Sequence, residues 1–82
     1  MPSREAQNEL LRAQMRLLRR AAGITQIDMA ERLELTQSQV SKLERGESVI
    51  DVLLWRGWCL ACGVKPGEVL DATFKARPEP LE

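Results

Sequence analysis

The sequence contains no histidine and no tyrosine, one phenylalanine and only two cysteines. Histidine is the most frequent general base and metal ligand in proteins, so its absence removes the simplest routes to acid–base catalysis and to a metal centre. No nucleophile–base pair, phosphate-binding loop or ligand cluster takes its place. We therefore expect neither an enzyme nor a bound cofactor.

Long apolar runs are also absent. No stretch approaches the roughly 18 apolar residues that a membrane-spanning helix needs, and the N-terminus is too charged for the core of a signal peptide. These features predict a cytoplasmic protein without a membrane partner.

The chain is small and electrically balanced. Its 82 residues make one domain, and a domain of this size buries only about 60–65% of its unfolded surface, which leaves little room for a large catalytic cleft. Twelve basic and twelve acidic residues cancel, but five arginines fall within residues 1–20. They are either a solvated face of the first helix or a surface that attracts a phosphate backbone.

Polar caps and glycines divide the chain into helices. Ser3 is a candidate N-cap for a first helix over residues 4–22, and Gly23 is suited to end it. Thr25 and Thr36 are candidate caps for two short helices, the second of which ends at Gly46. In the third helix, Thr36 and Gln39 have the spacing of a capping box. Each of these two helices therefore opens with Thr-Gln.

Two further helices follow. Asp51 is the expected cap of the segment DVLLWRGWCLACG, which is apolar nearly all round and is therefore buried or faces a partner. Gly57 in its interior predicts close approach of another backbone. Pro66 starts a short fifth helix that we expect to end near Leu70. We expect the domain to cover residues 1–72 and residues 73–82 to form a flexible tail, whose last two residues are compatible with a cloning scar.

The segment LRRAAGITQIDMAERLELTQSQVSKLERG, followed by CGVKPGEVL, carries a specific resemblance. Eight residues at their spacings make it specific: Gln26, Ala30, Val40, Ser41, Leu43, Glu44, Arg45 and Gly46. Residues 17–70 resemble the Cro/CI-type (XRE family) helix-turn-helix domain of phage repressors and bacterial regulators. The resemblance implies an all-α fold, a compact five-helix lambda-repressor-like domain, and sequence-specific binding of double-stranded DNA by a transcriptional regulator, expected to be a repressor.

The resemblance also implies roles for individual residues. The third helix, about residues 37–45, would lie in the major groove, as recognition helices do. The expected base contacts are Gln37, Ser38, Lys42 and Ser41, of which Ser41 also suits phosphate. The expected phosphate contacts are Gln26, Arg45, Thr25 and Arg19. Glu44 is expected to be structural and to pair with an arginine of the first helix.

One position departs from the family pattern. Glu34 stands in the turn where the family usually has glycine, and a non-glycine residue in the left-handed region costs of the order of 1 kcal/mol. Either the turn accepts glutamate or its geometry differs slightly; we expect the helix-turn-helix to form in both cases, with a negative charge near the DNA-facing side.

The pair Cys59-x-x-Cys62 permits a redox or metal hypothesis. It supplies only two ligands, both in the middle of an apolar helix, so two buried core thiols are the favoured interpretation and a zinc ion shared across a dimer is the alternative. No metal site is expected within one chain.

The apolar fourth helix permits two kinds of partner. We expect a homodimer built from the fourth and fifth helices, with Leu54, Trp58 and Leu53 at the interface and two recognition helices about 34 Å apart on a pseudo-palindromic operator. The alternative is an antitoxin-like or partner-binding module that uses the same residues to bind another protein.

Overall fold

Each of the first four helices begins at a residue that the sequence marks as a cap. A computed structural model describes residues 3–75 and contains, in chain order, α1 (Arg4–Ala21), α2 (Gln26–Leu33), α3 (Gln37–Arg45), α4 (Val52–Ala61) and α5 (Pro66–Lys75). No strand occurs in this range. The all-α, five-helix prediction is confirmed.

The caps are made by side-chain oxygens that accept backbone N–H groups. Ser3, Thr25 and Asp51 each accept from the amide three residues on, at 2.8–3.1 Å. Thr36 does the same at 3.1 Å, and its own amide donates to Gln39 Oε1 at 2.8 Å. This reciprocal pair is the predicted capping box.

The helix ends also follow the local signals. Beyond α1, Gly23 has φ +72° and Ile24 donates its amide to the Arg19 carbonyl at 3.0 Å, which is the wrapped ending of a Schellman motif. Gly46 ends α3 at φ +85° in the same way. Such endings satisfy carbonyls that the short helices would otherwise leave unpaired.

The fifth helix is longer than predicted. It continues five residues past Leu70 to Lys75, so residues 73–75 belong to the helix rather than to a flexible tail. Val69 packs against the core, and Thr73 donates its hydroxyl to the Val69 carbonyl at 2.8 Å. Contacts of α5 with both α1 and α4 therefore stabilise the helix beyond Leu70, where the local sequence predicts its end. The rest of the predicted tail lies outside the described residues.

All five helices surround one apolar core. Its fully or nearly fully buried members are Met15, Ile24, Met29, Ala30, Val40, Leu43, Trp55, Trp58 and Cys59. Ala30 of α2 is only 4% exposed. None of the helices in residues 3–75 is both long and apolar enough to cross a membrane.

The prediction that Trp58 lies at a dimer or partner interface is wrong. Its side chain is fully buried, and its indole N–H donates to the Met15 carbonyl at 2.8 Å. A buried indole needs such a partner, and this one anchors α4 to α1. Trp58 therefore stabilises the monomer and is not available to a second chain.

Gly57 lies close to a side chain of another helix and not, as the sequence predicted, to a backbone. A β-carbon placed there would lie 3.2 Å from Leu33 Cδ2 of α2, and no backbone atom of another element lies that close. The glycine thus makes room for a leucine side chain where α2 packs on α4.

The two cysteines are free and unequal. Cys59 is fully buried in the core, and burial raises the pKa of its thiol to about 11. Cys62, at the end of α4, is half-buried; burial raises its pKa too, opposed by the charges of Arg32 and Arg19. Within residues 3–75 no group of three or more potential ligands could hold a metal ion. The core-thiol interpretation is confirmed for Cys59.

The raised pKa of Cys59 predicts a loss of stability at alkaline pH. The folded protein keeps a proton that the unfolded chain releases, so this contribution is present below the unfolded pKa near 9 and is lost as the pH rises through about 11. Urea unfolding of the wild type between pH 8 and pH 11 should show a steeper loss of unfolding free energy than the C59A variant. Parallel pH dependences in the two proteins would contradict the burial of an ionisable thiol.

Candidate nucleic-acid interface

The turn between α2 and α3 is tight and left-handed at Glu34. This residue has φ 56° and ψ 43°, and it is the one non-glycine residue with positive φ in the described part of the chain. The Leu35 amide donates to the Ala30 carbonyl at 2.8 Å, and the Glu34 amide to the Glu31 carbonyl at 3.3 Å. The predicted helix-turn-helix therefore forms with glutamate in the conformation that favours glycine.

The α3 helix separates its residues by face. Val40, Leu43 and Glu44 are buried, whereas Gln37, Ser38 and Lys42 are exposed and Ser41 is half-buried. Successive residues of a helix turn by about 100°, which places the exposed set on one continuous side. Four candidate base contacts thus form one polar outer face, and the inner face holds the helix against the core.

The two Thr-Gln pairs are joined in space. The Gln37 side-chain amide donates from Nε2 to Gln26 Oε1 at 2.9 Å, and Gln26 Nε2 donates to Glu44 Oε1 at 3.1 Å. Gln26 is half-buried and lies in the first turn of α2, while Gln37 lies exposed in the first turn of α3. Thr25 is exposed, but its hydroxyl already accepts the Asp28 amide as the cap of α2.

Arg19 does not have the expected role of a phosphate contact. It is only 8% exposed, and its Nε and Nη2 donate to the two oxygens of Glu44 at 2.5 and 3.0 Å. Its Nη1 donates to the Ile24 carbonyl at 2.9 Å. Every nitrogen of the guanidinium therefore has a protein acceptor. The expected pairing of Glu44 with an arginine of the first helix is confirmed.

Two other arginines of α1 also lie on the end of α3. Arg16 Nη1 donates to the Glu44 carbonyl at 2.6 Å. The Arg12 guanidinium forms an ion pair with Glu9 and covers Gly46, where an added β-carbon would lie 2.7 Å from Arg12 Cζ. Cations are favoured at the negative C-terminal end of a helix dipole. Much of the positive charge of α1 therefore stabilises α3 instead of forming a free basic surface.

Arg45 is exposed just where α3 ends. It donates from Nε to Glu47 at 2.9 Å and from Nη1 to the Ser41 hydroxyl at 2.8 Å. The hydrogen bond and charge of Arg45 hold the pKa of Glu47 below its usual value, with a smaller contribution from Lys42. Glu47 is thus a carboxylate at neutral pH, and Arg45 has a weak, solvent-exposed partner that another anion can replace.

An apolar surface lies beside α3, at the start of α4. Val49, Val52 and Leu53 are 84, 79 and 78% exposed. Val49 and Leu53 also line a groove together with four leucines and three polar residues: Leu33, Leu35, Leu43, Leu54, Gln39, Ser48 and Asp51. The sequence predicts Leu53 and Leu54 at an interface but misses Val49 and Val52. A valine beside a helix start gives no sequence signal of exposure, because burial depends on what packs above it.

Comparison with known proteins accords with this geometry. A family model described as helix-turn-helix matches residues 15–69. An XRE-family like protein from Pseudomonas syringae pv. tomato str. DC3000 has a structure similar to this one, with TM-score 0.84 and 35% identity over 90% of each chain. The chain belongs to the XRE family of helix-turn-helix proteins.

A second solved structure extends the likeness. The clp gene regulator ClgR from Corynebacterium glutamicum superposes with TM-score 0.75 at 28% identity, covering 85% of this chain and 74% of that one. No curated protein sequence matches the chain closely enough to count as a relative. Membership of the XRE family makes this chain a DNA-binding transcription regulator and not an enzyme.

The left-handed Glu34 predicts that glycine is better at this position. Replacing it, E34G, removes a β-carbon from a conformation that disfavours one, and we expect unfolding free energy to rise by about 0.5–1 kcal/mol. The change also removes a carboxylate from the turn before α3, so we expect DNA affinity to rise because repulsion of the DNA phosphates falls. Thermal melting and duplex binding measure the two effects.

The matched control is E34A, which removes the same charge but keeps the β-carbon. It should share the gain in DNA affinity without the gain in melting temperature. If E34A proves as stable as E34G, charge and not backbone conformation limits the turn.

Proposed function

We propose that this XRE-family domain is a sequence-specific repressor that reads double-stranded DNA by inserting α3 into the major groove. The observation that carries this proposal is the continuous outer face of α3, with Gln37, Ser38 and Lys42 exposed on a helix capped at both ends. Recognition helices of this class read bases with their N-terminal residues. A regulator of this kind acts where the chromosome lies, in the bacterial cytoplasm.

The chemistry of the outer face suits base edges. A glutamine amide can bond to the N6 and N7 atoms of adenine, which makes adenine the expected base opposite Gln37. Lys42 would donate to the acceptors of guanine, and Ser38 to either kind of base. Ser41 is half-buried and accepts a bond from Arg45, so it would read bases only near the groove edge.

The phosphate contacts would flank this face. At the start of α2, Thr25 and Gln26 present backbone N–H groups and the positive end of the helix dipole, both of which favour an anion. Gln26 Nε2 keeps a second hydrogen after its bond to Glu44. Arg45 would exchange its exposed partner Glu47 for a phosphate past the other end of α3. These contacts would set the register of α3 without reading sequence.

The apolar surface beside α3 is where a second copy of the chain would bind. On α3, Gln39 and Leu43 line the groove and lie next to the outer face around the helix axis. A second copy bound in the groove would therefore lie beside the same DNA duplex. Across a two-fold axis, the apolar patch of Val49, Val52 and Leu53 would pack against the same patch of the second copy. The dimer would present two recognition helices to a pseudo-palindromic operator.

Selection of bound sequences from random duplex DNA tests the proposed function. A specific complex should emerge whose affinity falls steeply with salt, because phosphate contacts release counterions. K42A should relax preference at one base position at a cost of about 1–3 kcal/mol. The control is K65A, which removes an exposed lysine just before α5, paired at 3.5 Å with Glu68, and should leave the selected sequence unchanged. Absence of any enriched sequence would overturn the proposal.

The dimer surface is tested by L53E. A carboxylate in the apolar patch should abolish self-association and lower operator affinity, while leaving the melting temperature nearly unchanged because Leu53 is 78% exposed. L17E serves as the control, since Leu17 is 60% exposed on α1 and outside the patch. Sedimentation at high concentration, with and without operator DNA, measures the stoichiometry.

A wild-type chain that stays monomeric under all these conditions would overturn the dimer. The apolar surface would then favour the alternative, in which this chain is an antitoxin-like module that binds a different protein.

A further inference from the structure

A chain of hydrogen bonds leads from the protein interior to the exposed start of α3. It begins at the Glu44 carboxylate, which is 5% exposed and held by the fork of Arg19. Gln26 Nε2 donates to Glu44 Oε1 at 3.1 Å, and Gln37 Nε2 donates to Gln26 Oε1 at 2.9 Å. A buried charge is thus connected through two amides to the proposed adenine-reading side chain.

The chemistry of the carboxylate fixes the order of donors and acceptors along this chain. An ionised carboxylate only accepts hydrogen bonds, so Gln26 must face Glu44 with its nitrogen. The Gln26 side-chain oxygen then faces Gln37, which must donate a hydrogen bond to it from its own side-chain nitrogen. Gln37 is left with Oε1 and one N–H to offer outward, which is one acceptor and one donor.

We propose that Glu44 is a positioning residue that makes Gln37 select adenine over guanine. In the major groove adenine presents a donor and an acceptor side by side, whereas guanine presents two acceptors. The outward acceptor and donor of Gln37 match adenine and repel one acceptor of guanine. This inference rests on the proposed function, since it assigns the base preference of the same DNA-reading face.

Without Glu44 nothing in the hydrogen-bond chain fixes which way the Gln37 amide faces. An exposed glutamine amide turns over about its last bond at little cost, because its two ends are similar in shape. Turned over, Gln37 would present both N–H groups outward and match the two acceptors of guanine. The buried, acceptor-only Glu44 excludes that orientation by way of Gln26.

Two substitutions break this relay, the hydrogen-bonded series Glu44–Gln26–Gln37, in different ways. In E44Q a single amide oxygen replaces two oxygens that both accept from Arg19, and Oε1 also accepts from Gln26. Gln26 therefore no longer faces a group that only accepts, and both donor orders of the two glutamines become possible. In Q26A the ion pair stays intact and Gln37 loses its partner, so neither orientation is imposed. Q26A also keeps the inference testable if E44Q does not fold, because Gln26 is only half-buried.

The experiment measures binding of the full chain to two duplexes that differ only by adenine or guanine at the position read by Gln37. That position is found by random-duplex selection with the wild type and Q37A. The wild type should prefer adenine by roughly 5- to 150-fold, the range of one good bidentate contact. We expect Q26A to bring the two affinities within about twofold and E44Q to move the ratio to one or toward guanine.

The ratio separates positioning from stability, because a loss of folded protein lowers both affinities equally. R16A is the matched control: it removes the 2.6 Å bond to the Glu44 carbonyl without touching the relay, so overall affinity can fall but the ratio should stay. Circular dichroism confirms that each variant is folded at the assay temperature.

Three outcomes would overturn the inference. If no sequence is enriched, the proposed function fails and the inference with it. If Q37A changes no base preference, Gln37 is not a reader. If Q37A loses the adenine preference but folded Q26A and E44Q keep the wild-type ratio, DNA reading stands and only the positioning role of Glu44 is refuted.

Discussion

The buried ion pair between Arg19 and Glu44 determines how α3 lies on α1. Two charges removed from water are costly unless their geometry is good, and here the guanidinium fork meets both carboxylate oxygens. The remaining nitrogen of Arg19 and the remaining capacity of the carboxylate are used by Ile24 and Gln26. Because a misplaced α3 would leave a buried charge unpaired, this contact makes one orientation of the helix strongly preferred.

Short helices depend on such external support. α2 and α3 have eight and nine residues, lengths at which isolated helices are marginal in water. Caps at their starts, left-handed residues at their ends and arginines over the C-terminus of α3 satisfy backbone groups that would otherwise be unpaired. The outer face of α3 can therefore stay polar, since stability comes from its ends and from Val40 and Leu43 beneath.

Three faces of α3 serve three purposes in the proposed function. The inner face holds the core, the outer face meets DNA, and the flank with Gln39 and Leu43 borders the apolar groove. The relay through Gln26 connects the first two of these faces. In the proposed relay, a change in the interior would alter which base is read without touching a surface residue, which a set of independent contacts would not permit.

Local sequence determined the caps, the breaks and the helix-turn-helix, because each depends on residues within four or five positions. Thr36 with Gln39 and the left-handed Glu34 are of this kind, and the family resemblance rests on the same spacing. Only the tertiary structure decided which polar and apolar side chains are buried and bonded within the protein and which remain free to bind a partner. Arg19 meets Glu44 across 25 positions and Trp58 meets Met15 across 43. The phosphate role expected of Arg19 and the interface role expected of Trp58 are both wrong. Contacts between residues so far apart in sequence leave no periodic pattern from which burial could be predicted.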